Sequence, residues 1–482
     1  MADHLKSSPL IQGTVVKSRR EFLSESFSSV TGFGVASALA ALGGRIALGD
    51  HARAGHALLP TKDETTGLEL IRLPEGFRYV SHGWTNDPMS DGTPTPAAHD
   101  GMGVVAENNG VVTLVRNHEI SDDTDALPIT NGTPFDRRAG GGCTTLTFDT
   151  RHGRWLDSRV AIAGTSRNCA GGVTPWGTWL TAEETVLGID SVDPYQNDAA
   201  RSFKRDHGWV FEVDPTGVRH PVPIKAMGRF VHEAVAIDRE TGIVYETEDR
   251  GTAGFYRFIP NQNRKLADGG KLQIAQVVGH DDLRGHVEQG RQFDVRWHTI
   301  PEPTLANTPG LDQPDELGVF KQGKRLGCTT FARLEGCWSG NGMIYFDATS
   351  GGAAKAGQIW QYDPEAEKLT MLFESPGKQI LNMPDNLCVN PHGGLALCED
   401  GDYGDDEYPQ RIHLLSQDGH LIPLAVNDVQ LNGQKGFHGD FRGREWAGAT
   451  FSPDGQWLFA NIQTPGITLA ITGPWQSLTG DA

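Results

Sequence analysis

The stretch Glu233-Ala234-Val235-Ala236-Ile237-Asp238-Arg239-Glu240-Thr241-Gly242-Ile243-Val244-Tyr245-Glu246-Thr247-Glu248 decides the fold. An apolar run stops at a polar turn holding one glycine, and a second β-branched and aromatic run follows. Carboxylates stand at both outer ends. That is the pattern of a buried β-hairpin. Five further segments repeat it: Asp100 to Glu119 around Gly110, Cys169 to Glu183 around Gly177, and Glu335 to Asp347 around Gly342, then Asp385 to Glu399 around Gly394 and Glu445 to Asn461 around Gly455. Repeats at irregular spacing are the signature of blades separated by variable loops. The expectation is an all-β, six-bladed β-propeller, with the variable loops over one end of a central channel.

Working outward, the remaining chain agrees. Val210-Phe211-Glu212-Val213-Asp214-Pro215 and Ile359-Trp360-Gln361-Tyr362-Asp363-Pro364 read as further strands ending in Asp-Pro turns. Helix-period segments are scarce, which disfavours a parallel sheet with crossover helices. In a propeller the innermost strands surround the channel, and a hairpin brings its first and last residues to the same end. The six polar starts and their acidic partners therefore converge on one mouth, with the turn glycines at the other. The alternative for any single hairpin is an ordinary surface carboxylate at a strand end; six on one plan favour convergence.

Converging carboxylates repel one another, so they either take up protons or hold cations. Hard oxygen donors in that number suit calcium, whereas the thiolate of Cys169 suits a transition metal. A buried cysteine alone is more commonly a small core residue. Arg333 precedes Glu335 by two, so in a strand both face one way, and a guanidinium there is a salt-bridge partner or an anion receptor. His99, His118 and His232 adjoin these positions and are expected as hydrogen-bonding core residues.

The balance of 42 Lys+Arg against 61 Asp+Glu gives a formal charge of −19, which excludes general nucleic-acid binding and suits a collector of cations. Six cysteines, at 143, 169, 328, 337, 388 and 398, are too few for a disulfide scaffold, although Cys388 and Cys398 stand close enough in sequence to flank one hairpin. Near the N-terminus, Ser18-Arg19-Arg20-Glu21-Phe22-Leu23 leads into a weakly apolar stretch and then Ala52-Arg53-Ala54. This resembles a twin-arginine export signal. The expected organisation is a signal over 1–54 read by the bacterial twin-arginine machinery, then one propeller domain over 55–482, periplasmic or secreted, without a stable membrane anchor.

Asn168-Cys169-Ala170-Gly171-Gly172, Thr174-Pro175-Trp176-Gly177-Thr178-Trp179-Leu180-Thr181 and Glu183-Glu184 together resemble the signature of PhoX-type alkaline phosphatases. Arg116-Asn117-His118-Glu119, His232-Glu233-Ala234, Phe331-Ala332-Arg333-Leu334-Glu335, Pro384-Asp385-Asn386-Leu387, Glu399-Asp400-Gly401 and Phe451-Ser452-Pro453-Asp454-Gly455 agree in order. The resemblance implies an exported phosphomonoesterase with an iron–calcium cofactor, an oxo-bridged iron pair joined by calcium ions. Carried over by position, it implies Cys169, Glu183 and Glu184 (Glu184 first), Glu233 and Glu335 as metal ligands, with Arg333 on phosphate. Glu119, Asp385, Asn386, Glu399 and Asp400 follow as ligands from the hairpin plan as much as from the family. Ala182 stands where relatives carry a cysteine, and the chain is shorter than well-known members, so substrate preference is left open. Two other functions compete: a calcium-dependent lactonase or phosphotriesterase, which needs no thiolate, and a non-catalytic calcium-binding propeller, which leaves Arg333 without a task.

Overall fold

The computed structural model describes residues 56–120, 133–189, 203–217, 219–311, 313–401, 409–417 and 419–479. Residues 1–54, expected from the sequence to be an export signal, lie outside them. Among the described residues the fold is all-β, with two short α-helices at Gly318–Arg325 and Gln476–Thr479.

Each hairpin read from the sequence forms. The strands are β1 (His99–Asn108) with β2 (Val111–His118), β3 (Asn168–Val173) with β4 (Trp179–Glu183), and β5 (His232–Ile237) with β6 (Val244–Glu248). They continue as β7 (Leu334–Gly340) with β8 (Met343–Ala348), β9 (Pro384–Val389) with β10 (Leu395–Glu399), and β11 (Trp446–Phe451) with β12 (Leu458–Ile462). The six first strands pack in the cyclic order β1, β3, β5, β7, β9, β11 and back to β1. Every residue of β5 is buried, which explains an unbroken apolar run where a half-exposed strand would alternate. Glycine permits the closest approach: a Cβ on Gly172 of β3 would stand 2.0 Å from the Val235 carbonyl oxygen of β5.

The hairpins extend outward by further antiparallel strands, but the sheets do not stay separate. The β5–β6 and β7–β8 hairpins form the two ends of one nine-stranded sheet, because Gln292–Asp294 pairs with Lys368–Thr370. The β9–β10 sheet gains Leu58–Lys62 and Glu69–Pro74 at its rim. The sheet of β11 and β12 is completed by Ile467–Thr472 and then by Arg78–His82, in register His82 to Thr468, so early and late segments close it together.

At the glycine-turn end a cavity of about 270 Å³ draws its lining from all six first strands, including Val104, Val173, Val235, Trp338, Val389 and Thr450. Arg239, Ser339 and Ser452 join the apolar residues there, whereas the carboxylates gather at the far end. All six cysteines are buried and free, and in the β9–β10 register Cys388 faces Ala396 while Cys398 faces Asn386. The cysteine pair that could have formed a disulfide does not face itself across the hairpin.

Candidate metal centre

Every inner hairpin carries a β-bulge, five of them at the mouth. In the first, Asp100 and Gly101 together oppose Asn117; in the second, Cys169 and Ala170 oppose Ala182. Glu233 and Ala234 face Thr247 in the same way, Glu335 and Gly336 face Asp347, and Asp385 is the extra residue of the fifth. A bulge re-aims the side chain of its first residue. The second residue of five first strands is therefore Asp100, Cys169, Glu233, Glu335 or Asp385, each buried. In the sixth hairpin the bulge lies one residue later, and the equivalent position is Ala447.

A second set comes from the chain just past each second strand. Glu119, Glu184, Asp249, Thr349, Asp400 and Gln463 each donate their backbone N–H to the carbonyl of the residue preceding the matching first strand: Ala98, Arg167, Val231, Arg333, Met383 and Glu445. The two sets interleave. Asp100, Glu119 and Cys169 place ligand atoms within 4.8 Å of one another, as do Cys169, Glu184 and Glu233, and as do Asp385, Asp400 and Glu445. Cys169 belongs to two of these groups, with its Sγ 3.6 Å from an Asp100 oxygen.

Electrostatics joins the groups. Burial pushes Asp100, Glu233 and Asp385 well above the usual carboxylate range, and neighbouring carboxylates push further: Glu119 on Asp100, Asp385 and Glu184 on Glu233, Asp400 and Glu445 on Asp385. The Cys169 thiol is raised by burial and then by Asp100, Glu233, Glu119 and Glu184. Such a cluster, buried and crowded with acids, would be stabilised by bound cations, and its donor set of one sulfur among many oxygens could hold metal ions.

Arg333 lies within the same network. Its Nε donates to Asp249 Oδ1 at 2.9 Å, and its Nη2 donates to Asp249 Oδ2 at 3.4 Å and to Glu335. Burial raises Glu335 against the pull of Arg333. The Thr349 hydroxyl also donates to Glu335. Arg333 keeps 15% of its side-chain surface exposed, and Nη1 stands outside these pairs. The two sequence readings of this residue are thus compatible: its ion pairs fix the guanidinium plane and leave Nη1 outside them.

Cys169 is held from behind. The wholly buried Asn117 donates from Nδ2 to the carbonyls of Cys169 (3.0 Å) and Ala170 (2.7 Å). Its Oδ1 accepts from Trp179 Nε1 and Thr181 Oγ1, both at 2.9 Å, and from Cys143 Sγ at 3.1 Å. The residues of the alkaline-phosphatase signature therefore brace one another around the bulge.

Of the sequence-predicted ligands, Cys169, Glu119, Glu184, Glu233, Asp385 and Asp400 fall into the three groups, and Glu335 adjoins them through Arg333. Glu183 and Glu399 are placed otherwise. They end β4 and β10 and clamp the next strand of their own sheet. Glu183 accepts from the backbone of Ser166, Gly208 and Trp209 and pairs with His207 at 2.6 Å. Glu399 accepts from the backbone of Asn382 and Arg411 and from the Arg411 and His413 side chains. Glu248 does the same at the end of β6, through Gly254 and Tyr256. Asn386 accepts from the Ala449 N–H at 3.2 Å, tying the fifth hairpin to the sixth. His99, His118 and His232 hydrogen-bond to Pro96, Ala97, Thr144 and Gly228, as core residues do. The ligand list drawn from the sequence lacked Asp100 and Glu445, although the hairpin plan marks both as polar starts. It also lacked Asp249, whose signal is its place one residue past Glu248.

Comparison with known proteins fits this centre. The family model "Alkaline phosphatase PhoX" matches residues 56–466. Among solved structures the chain is similar to Pseudomonas fluorescens PhoX in complex with vanadate, a transition state analogue, with TM-score 0.64 and 19% identity over 87% of this chain and 97% of that one. A gluconolactonase of Xanthomonas campestris, XC5397, aligns with TM-score 0.39 and 12% identity over 88% of this chain and 99% of that one, too loosely to bear on fold or function. No curated protein matches the chain. With the family model spanning 56–466 of its 482 residues, the chain belongs to the PhoX family of alkaline phosphatases.

Proposed function

We propose that this phosphomonoesterase is a six-bladed propeller that uses iron and calcium at the mouth of its channel. The cyclic packing of the six first strands supports the blade count, together with the cavity to which all six contribute. The observation that carries the metal reading is the sharing of Cys169 between two buried acidic groups, with an oxygen-only group nearby. Cys169, Glu184, Glu233, Asp100 and Glu119 would hold iron, and Asp385, Asp400 and Glu445 would hold calcium. When bound, these ions supply positive charge for phosphate oxygens and an activated attacking oxygen.

The chain's own residues do the rest. Arg333, anchored by Asp249 and Glu335, presents a guanidinium edge to the phosphate and neutralises charge growing on its oxygens. Because Asp249 and Glu335 fix the plane in advance, little reorganisation is needed when the ester arrives. Asn117 holds the Cys169 bulge in place, and the bulges keep the ligand side chains on one side of the ring. Burial of the acids excludes bulk water from the floor of the site. Substrates are organic phosphate monoesters, cleaved to inorganic phosphate.

We also read residues 1–54 as a twin-arginine signal and the remainder as one catalytic domain exported folded, in keeping with a metal centre assembled before transport. Metal analysis of active protein purified from its native host tests the cofactor reading: iron and calcium together are expected, and calcium alone or no metal refutes it. Replacing Arg19 and Arg20 by lysine should leave the protein in the cytoplasm; normal export would refute the signal.

A further inference from the structure

Arg116 lies on β2, outside the three acidic groups, and is wholly buried. Its Nη1 donates to Thr468 Oγ1 at 2.6 Å and faces His99 Nδ1 at 3.3 Å, while Nε and Nη2 have no hydrogen-bond partner among the described residues. Unpaired buried guanidinium donors are rare, because burying a charge without compensation is costly.

More unpaired groups lie on the neighbouring segment. A Cβ at Gly83 would stand 3.0 Å from Arg116 Nη1, which places the Gly83 backbone against the guanidinium. On either side of Gly83, His82 Nε2 and Thr85 Oγ1 are buried without partners. The His82 ring stacks on Trp155 at 5.0 Å between centroids, and Trp155 Nε1 is likewise buried and unpartnered. A Cβ at Gly466 would lie 2.1 Å from Thr85 Oγ1 and 3.2 Å from His99 Nε2, so Thr85 lies beside the His99 ring whose other nitrogen faces Arg116.

The electrostatic surroundings are one-sided. His82 is held down to about 4 by burial, by Arg116 and by Lys435. Burial, Arg116 and His118 hold His99 well below its usual range. Burial alone lowers Arg116, to about 9. No carboxylate enters any of these three shifts. Lys435, the other cation acting here, pairs with Asp87 at 2.8 Å and so brings its own counter-charge.

We infer that the buried Arg116 guanidinium, beside Gly83 and His82, is a binding site for a small monovalent inorganic anion of chloride size. The donors are N–H groups, which suits a spherical acceptor. The site also spans the seam where the fold closes. His82 belongs to the early segment, Thr468 to the late strand paired with it, and Arg116 to the sheet of β1 and β2. The bound anion therefore links the closing sheet to the first one and supports the strand that precedes Asp100.

Protein purified and crystallised in sodium bromide should show an anomalous bromide peak in contact with the Arg116 guanidinium. Thermal unfolding of the holoenzyme should rise by roughly 1–3 °C for each tenfold in chloride, with gluconate holding ionic strength constant, and Arg116→Met should abolish that slope. A bromide peak supports the inference even if Arg116→Met fails to fold. Absence of a peak at Arg116, or equal chloride slopes in wild type and a folded Arg116→Met, overturns it and leaves the guanidinium to water.

Discussion

Replacing Arg333 by lysine tests the centre most directly. The substitution keeps the charge, and lysine tolerates the left-handed backbone (φ +49°) no worse than arginine. It removes the planar fork. Arg333 now makes two bonds to Asp249 and one to Glu335, whose side chains are 8% and 3% exposed. An ammonium group would still satisfy a carboxylate, but could not hold both while offering a flat edge to phosphate. The loss of one preorganised donor costs about 2–4 kcal/mol in the transition state. At about 1.4 kcal/mol per tenfold, kcat/KM should fall roughly 30- to 1000-fold. Initial rates on a chromogenic phosphomonoester give kcat/KM, competition by inorganic phosphate gives its inhibition constant, and elemental analysis gives metal content. Inhibition by phosphate should weaken in parallel while iron and calcium stay near wild type, since arginine offers no lone pair to a metal. Unchanged kinetics, or outright loss of metal, would make Arg333 a structural ion-pair residue and place phosphate binding elsewhere.

Cys169→Ala should lower iron content more than calcium content, because sulfur favours the softer ion; full iron occupancy in that variant returns Cys169 to the core. Asn117→Ala strands the donors of Trp179, Thr181 and Cys143 and frees the Cys169 bulge, so a stability loss of about 3–5 kcal/mol in urea melts is expected, with reduced iron. A loss below ~1 kcal/mol would show that the bulge holds itself. Against the cost of burial, Glu183 and Asp136 hold the His207 imidazolium up to about 9. A raised folded pKa contributes stability that is complete below the unfolded value near ~6.5 and lost as pH rises through about 9, on the order of 3 kcal/mol in all. Urea midpoints for wild type should therefore fall between pH 7 and 10 more steeply than for His207→Gln; parallel profiles would refute the ion pair.

The sequence alone determined the repeated hairpin, the all-β class and the end of the hairpins where acids gather, because apolar runs, turn glycines and flanking carboxylates are local properties. It also carried the Asn168-Cys169-Ala170-Gly171-Gly172 signature that marks the family. What it could not decide was which of two adjacent acids faces the channel. Glu183 and Glu184 are equivalent as letters, as are Glu399 and Asp400 or Glu248 and Asp249. In these three pairs the last residue of the second strand is claimed by backbone N–H groups leading into the next strand out, while the acid after it lies past the strand end, its N–H bonded back to the residue before the first strand. That choice depends on where strand pairing stops and on a bulge that shifts the register, both set by neighbouring strands far away in sequence. Glu445 is the extreme case. It precedes its strand by one residue and joins Asp385 and Asp400 of another hairpin only because the ring brings β9 and β11 side by side. Proximity across hairpins, and with it the grouping of ligands and the pinning of Arg333 by Asp249, exists only once the chain has closed.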